Sequence, residues 1–548
     1  MDLLFYFFIW IGKAILKAYR SRQEQAAQRP GSGHQGSSRS GSARPGPARG
    51  GRPPAPTPLG TRTHRVEQVL TRLDALADSA EAQDDALETL SRRFAALGST
   101  GRVFHSVIED RLRPDITAAS AVVRTAVAEA REVQPKLAAD ALNGFRQLPD
   151  AQRVLDSAPL QIAMLTRMAD WRDDADVGGM LADTDAIAAA LWRPLQQFAF
   201  DHDLHVPEER PVTAPLTGQE ALWPDLLPAH TPLIVVPDDF TEDLYRHASV
   251  AHEVAHLAWL RVPHLAAQTV QAMDLDVPPR LLVYEGGRVR GSLHQPFRAW
   301  VEEIFCDAMT VTLLGPSGLR GLVHSFARPG EPETVLMARA NPDGTYAAHP
   351  PPHLRVRMAA QVLGRMGFEP EAQSIVADWD RMHRGQDTVI LPCQGGVQVR
   401  VGQAVLLDFI APRLEAWHNA ELPALAGFRI ESIPGWMMTP GVWAHVRARA
   451  ADLVEDRPFQ DDGRVVLAAA IEARRLAPDR TRRIASGLRR AVLGRDAGER
   501  RPEDPNYRRS AAHGHDHRFA DEIRDALILS EILGPPASRR GPPRAPLG

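Results

Sequence analysis

Residues 249–260 read "SVAHEVAHLAWL", with two histidines four positions apart and a glutamate directly after the first. On a helix, His252 and His256 stand one turn apart on one face, so both imidazoles can reach a single tetrahedral cation. Glu253 projects beside them, close enough to take a proton from a water that the cation activates. Zinc lowers the pKa of such a water from about 16 toward about 7. The neighbours are small (Ala251, Ala255, Ala258) or apolar (Val250, Val254, Leu257), which suits a buried helix. Two buried histidines and a buried glutamate without a shared partner would be costly. A metal removes that difficulty.

A catalytic zinc needs a third protein ligand. The metzincin arrangement would put glycine at 259 and histidine at 262, but Trp259 and Val262 stand there, and that class is excluded. The other common solution is a glutamate on a second helix, and "RAWVEEIFCDAMTVTLLGP" (298–316) supplies one. Its Val301, Ile304, Phe305, Ala308 and Thr312 keep helical spacing, and Gly315-Pro316 marks the end. Glu303 and Asp307 lie four apart on this otherwise apolar surface. Glu303 on the ion and Asp307 on the outer N–H of a ligand histidine would both be satisfied. Helical phase leaves Glu302 as a competitor; Glu303 is favoured because only it has an acid four residues on.

Together, His252-Glu253-x-x-His256 and Glu303-x-x-x-Asp307 resemble the gluzincin metallopeptidases, and within them the branch of the CAAX prenyl proteases and heat-shock membrane proteases. That branch shows Glu-x-x-Ala-Asp, and Cys306 stands here in the alanine position. It also carries a downstream His-Pro element followed by an arginine, matched by His349, Pro350 and Arg355 in "HPPPHLRVRM". The resemblance, confined to about 245–360, implies one catalytic Zn2+ held by His252, His256 and Glu303. It further implies Glu253 as general base, Asp307 behind a ligand histidine, and His349 and Arg355 as catalytic groups near the substrate cleft. Tyr346, His353 and Arg357 are further candidates for holding a developing oxyanion. Cys306, between Phe305 and Asp307 in a core helix, is a poor nucleophile. The membrane members of the branch carry spans near the catalytic helix, and no such span follows residue 20.

The rest of the chain frames this site. At 548 residues, with 44% hydrophobic and 24% charged residues, it is too long for one ordinary domain and has a globular composition. A net charge of -4 argues against a nucleic-acid binder. Two cysteines, Cys306 and Cys393, indicate no disulfide framework. "LLFYFFIWIG" (3–12), continuing through Lys13 and Lys17 to Arg20, predicts an uncleaved membrane anchor across residues 3–19, either a transmembrane helix or an interfacial one, with the remainder cytoplasmic. Residues 21–61, rich in Gly, Ser, Pro and Arg, read as a disordered linker.

Within 62–140, Val66, Leu70, Leu73 and Leu76, then Leu87, Leu90 and Phe94, predict helices suited to packing or self-association. "HTPLIVVP" (230–237) predicts a strand, and "TVILPCQGGVQVRV" (388–401) a hairpin turning at Gly395 and Gly396. "HGHDH" (513–517) could bind metal only adventitiously.

The expected fold is therefore mainly α with a small β component (α+β). It comprises an anchor (1–20), a linker (21–61), a helical region (62–140), a zincin-like catalytic domain (141–375) and a mostly helical C-terminal region with a disordered tail (376–548). The expected function is a membrane-tethered zinc endopeptidase acting on protein or peptide substrates. The alternative is a catalytically silent scaffold or sensor that keeps the fold and binds protein partners.

Overall fold

A computed structural model describes residues 59–493, apart from 134, 175–176, 207–209, 216–220, 224–231, 237–239, 241–242, 276–281, 286–287, 328–334, 341–345, 384–386 and 393–397. Val69–Pro502 form one compact unit. The chain is mainly α with a small β component.

The first helices are α1 (Leu59–Ala95), α2 (Gly98–Val107), α3 (Arg113–Glu132), α4 (Pro135–Gly144), α5 (Leu148–Asp173) and α6 (Val177–Asp201). On α1, Leu70, Leu73, Ala77, Ala80, Leu87, Leu90 and Phe94 are buried. Their spacing of three, four and seven places them on one stripe. Ion pairs fix its partner: Asp74 with Arg131, Glu81 with Arg124 at 2.6 Å, and Asp84 with Arg113 at 2.8 Å. Partner numbers fall as α1 numbers rise, so α1 and α3 run antiparallel. Exposed pairs of this kind stabilise little individually; they report register. Of the two readings of this stripe, helical packing or self-association, the buried residues show the packing.

After α6 comes a three-stranded sheet of β1 (Val212–Pro215), β2 (Ala221–Trp223) and β3 (Leu233–Val236) in the order β1-β3-β2, with β1 parallel and β2 antiparallel to β3. The strand expected at 230–237 is β3, buried along its length. Then follow α7 (Ala248–Arg261), α8 (Leu265–Ala272), β4 (Leu282–Glu285), β5 (Arg288–Ser292), α9 (His294–Leu314) and α10 (Pro316–Phe326). The β4–β5 pair escaped the sequence reading. Gly315 ends α9 with φ +60, and a Cβ there would meet Met438 Cγ at 2.6 Å. Both the turn and the contact require glycine. At Gly321, a Cβ would come within 2.2 Å of Ala248 Cβ, so α10 presses directly on the start of α7.

The chain closes with α11 (Pro352–Leu363), α12 (Glu369–Met382), β6 (Thr388–Pro392), β7 (Gln398–Gly402), α13 (Gln403–His418), α14 (Pro440–Glu455), α15 (Gly463–Leu476) and α16 (Thr481–Leu493). β6 and β7 form the expected antiparallel hairpin, its turn lying outside the described residues. The expected division at 375/376 falls inside α12, and that at 140/141 inside α4. One hydrophobic core runs from Met180 to Ala491. α15, buried continuously from Gly463 to Ala473, touches α6, α7, α9 and α10. The C-terminal helices share the central core, because α15 is apolar over those residues apart from the buried Arg464 and Glu472.

The transmembrane expectation is corrected. Among the described residues no helix is long and apolar enough to cross a membrane. Residues 3–19, on which the anchor was read, and the linker up to residue 58 lie outside the described residues, as does 513–517. No membrane tether enters the functional reading below.

Two buried histidines give this fold a pH dependence. Burial pushes His247 down to about 4, against the pull of the Asp243 carbonyl. Burial, then the Arg357 charge, pushes His353 down to about 4. His353 Nδ1 accepts from the Trp379 indole at 2.6 Å, a bond that protonation would abolish. Both folded values lie below the unfolded value near 6.5, so their contribution is complete above pH 6.5 and is lost as pH falls toward 4. Each histidine should cost about 2 kcal/mol by pH 5. Urea midpoints measured from pH 7 to 5 should fall accordingly, and His353→Gln, which keeps an acceptor but gains no charge, should flatten the slope.

Candidate metal centre

α7 and α9 cross in close contact, and the small side chains of Ala251, Ala255 and Ala258 line the buried α7 side. That closeness lets short carboxylate arms on α9 reach imidazoles on α7. The His252 and His256 rings stand 4.9 Å apart, centroid to centroid, with their planes at 79°. His252 Nε2 is 3.4 Å from Glu303 Oε2, and His256 Nε2 is 3.5 Å from Glu303 Oε1. Donors at about 2.0–2.1 Å around a tetrahedral ion are separated by about 3.3–3.4 Å. Both Nε2-to-carboxylate separations match that edge.

The outer nitrogens explain the tautomers. His256 Nδ1 lies 2.8 Å from Glu302 Oε1, a hydrogen bond, and His252 Nδ1 lies 3.2 Å from Asp307 Oδ1. If each Nδ1 carries the proton toward its carboxylate, each Nε2 turns a lone pair toward Glu303. Two lone pairs then face two carboxylate oxygens across a buried gap, where a divalent cation would replace the imidazole protons that Asp307 and Glu303 otherwise favour. Glu303 Oε2 also lacks a well-aligned hydrogen bond, although Arg355 Nη2 is 2.9 Å away. The donor set fits a divalent ion.

The ambiguity between the adjacent acids resolves by geometry. Glu303 converges on both histidines; Glu302, its side chain 38% exposed, backs His256 from outside. Sequence reasoning assigned Asp307 to back a histidine but found no role for Glu302 there. The available signal was its position four before Cys306 and one before Glu303, which keeps it on the α7-facing side of α9.

Arg355, on α11, does not reach into open space. Its side chain is 7% exposed; Nε is 2.7 Å from Asp307 Oδ2 and Nη2 is 2.8 Å from Asp307 Oδ1. Its guanidinium also sits over the Phe326 ring at 4.4 Å. The planar fork matches Asp307 in bidentate fashion. Burial works against the Glu303 and Asp307 carboxylates, but Arg355, then His252 and His256 at Glu303 and His252 alone at Asp307, hold both below the usual carboxylate range. Burial likewise works against a charged His252, and Asp307 and Glu303 outweigh it, raising the imidazole.

His349 differs from Arg355: its side chain is 68% exposed and its Nε2 lies 3.2 Å from Glu303 Oε1, at the open side of the cluster. Glu253 is buried on α7 beside His252. Of the other candidates, His353 is engaged with Trp379, and Arg357 pairs with Asp380 at 2.6 Å. The Tyr346 ring packs edge-on to Trp300 at 6.0 Å.

Cys306 adds a donor that was set aside in the sequence. Among the described residues, its Sγ and one nitrogen each of His252 and His256 all lie within 4.8 Å of one another. Glu303 meets the two Nε2 atoms at tetrahedral spacing, 3.4 and 3.5 Å, so it fits the position of third donor. Burial pushes the Cys306 thiol up to about 12, so without an ion it remains protonated at neutral pH.

The outer acids should matter to the ion. Glu302→Gln and Asp307→Asn should each weaken zinc binding about 10- to 100-fold, as removal of a carboxylate behind a ligand imidazole generally does. Competition with a chromophoric chelator measures this, and an unchanged affinity in both variants would remove the outer acids from the centre.

No family model matches this chain, and neither the curated proteins nor the solved structures include a match.

Proposed function

We propose that the chain is a zinc-dependent peptidase of gluzincin type. The observation that carries this reading is the pair of 3.4 and 3.5 Å approaches from the two Nε2 atoms to the two oxygens of one buried carboxylate, Glu303. His252, His256 and Glu303 would hold the ion, which when bound would supply Lewis acidity toward a substrate carbonyl and an activated water.

The chain's own groups supply the rest. Glu253, beside His252 on α7, takes the proton of the attacking water and returns it to the leaving amine. His349 at the exposed edge donates a hydrogen bond to the oxygen that gains charge as the carbonyl becomes tetrahedral. Arg355 acts through others: its bidentate grip fixes Asp307, which orients His252, and its charge keeps Glu303 ionised. It is a positioning residue in this reading, and the oxyanion role falls to His349. Substrates are proteins or peptides, in keeping with a centre whose exposed side is open at His349.

The test is metal analysis followed by proteolysis. The purified chain should carry one equivalent of zinc, cleave members of a random peptide library, and lose both properties in His252→Ala. A fully zinc-loaded chain that cleaves no library member would overturn the peptidase reading and leave the silent scaffold in its place.

A further inference from the structure

We propose that Cys306 is a fourth donor to the ion held by His252, His256 and Glu303, so that the resting centre is closed by a thiolate. This deepens the metal-site reading and rests on it. Four observations carry it. Cys306 and Glu303 lie three apart on α9, on the face that meets α7. The sulfur is fully buried, and within 4.8 Å of a nitrogen on each histidine. Glu303 Oε2, itself buried, lacks a well-aligned hydrogen-bond partner within the same cluster. Finally, soft thiolate sulfur and imidazole nitrogen are the donors that zinc and cobalt prefer together.

The geometry requires little movement. A sulfur at about 2.3 Å and nitrogens at about 2.0–2.1 Å from one ion stand about 3.6 Å apart. Since the sulfur already lies within 4.8 Å of a nitrogen on each histidine, closing to that edge takes at most about 1 Å of side-chain displacement. Coordination breaks the S–H bond and forms a sulfur–metal bond, and the proton leaves to solvent. Three protein ligands with an open position mark a catalytic centre, and four mark a closed one. Cys306 would thus set which of the two this centre is.

Cobalt reads this directly, without any turnover. The full chain with Cys393→Ser, stripped of metal and titrated with Co2+, should take up one equivalent and develop a near-ultraviolet sulfur-to-cobalt charge-transfer band. In Cys306→Ala the band should vanish while one equivalent is still taken up. Cys306→Ser, which keeps the volume, should behave as Cys306→Ala does and guards against a folding defect. One equivalent of cobalt with no charge-transfer band in the Cys306-containing chain overturns the inference and leaves the metal site intact, as does a band that survives both substitutions. No cobalt uptake, with His252→Ala indistinguishable from the parent, overturns the metal site and the inference together.

Discussion

Glu253→Gln should lower peptide turnover about 10³-fold while leaving zinc content and folding unchanged. Glutamine keeps the shape and hydrogen-bonding reach of the side chain and lacks only the capacity to accept a proton. Glu253 is buried on the same turn as His252, and the two imidazole contacts to Glu303 do not pass through it. The substitution therefore separates binding of the ion from use of it. Measured kcat should fall with KM nearly constant, because proton transfer belongs to the transition state and contributes little to ground-state binding. Retained turnover with normal zinc content would deny Glu253 the role of base.

The second large effect belongs to Arg355. Arg355→Leu should destabilise the metal-free chain by about 3–5 kcal/mol, the usual cost of stranding buried charge by removing one partner. Here two carboxylates, Asp307 and Glu303, lose the same cation at 2.7 and 2.9 Å. Their protons would be bound more readily, so the loss should be greatest at neutral pH and shrink as acidity increases. Saturating zinc should recover part of it, since the ion supplies positive charge to Glu303. Urea midpoints with and without zinc measure both effects; equal midpoints for variant and parent in the absence of zinc would show that the pair contributes nothing.

The centre was legible to the extent that chemistry followed helical periodicity. His252 and His256 fall one turn apart by spacing alone, and Glu303 was separated from Glu302 by its acid at i+4. What spacing could not reveal was direction across the α7–α9 interface: that Glu302 backs His256, or that Cys306 lies near both imidazoles. Arg355 shows the same limit, since one arginine near a cleft reads alike whether it meets substrate or a buried acid. Asp307 decides between them, and that pairing spans 48 positions of chain.

For the fold, β3 and the β6–β7 hairpin were legible from β-branched runs. β4–β5 was not, because "LVYE" and "RVRGS" carry little apolar alternation. What spacing along the chain could not show is that α15 brings its apolar surface back to α6, α7, α9 and α10.

That return has a bearing on synthesis. A ribosome that has released residues through Arg355 has already exported both imidazoles, their acids and the guanidinium, yet the slab between Gly463 and Ala473 is still unmade. Until it arrives, α7 and α9 each present bare apolar flank where α15 will lie. Nascent chains should hence expose these polar groups well before the core that encloses them is complete.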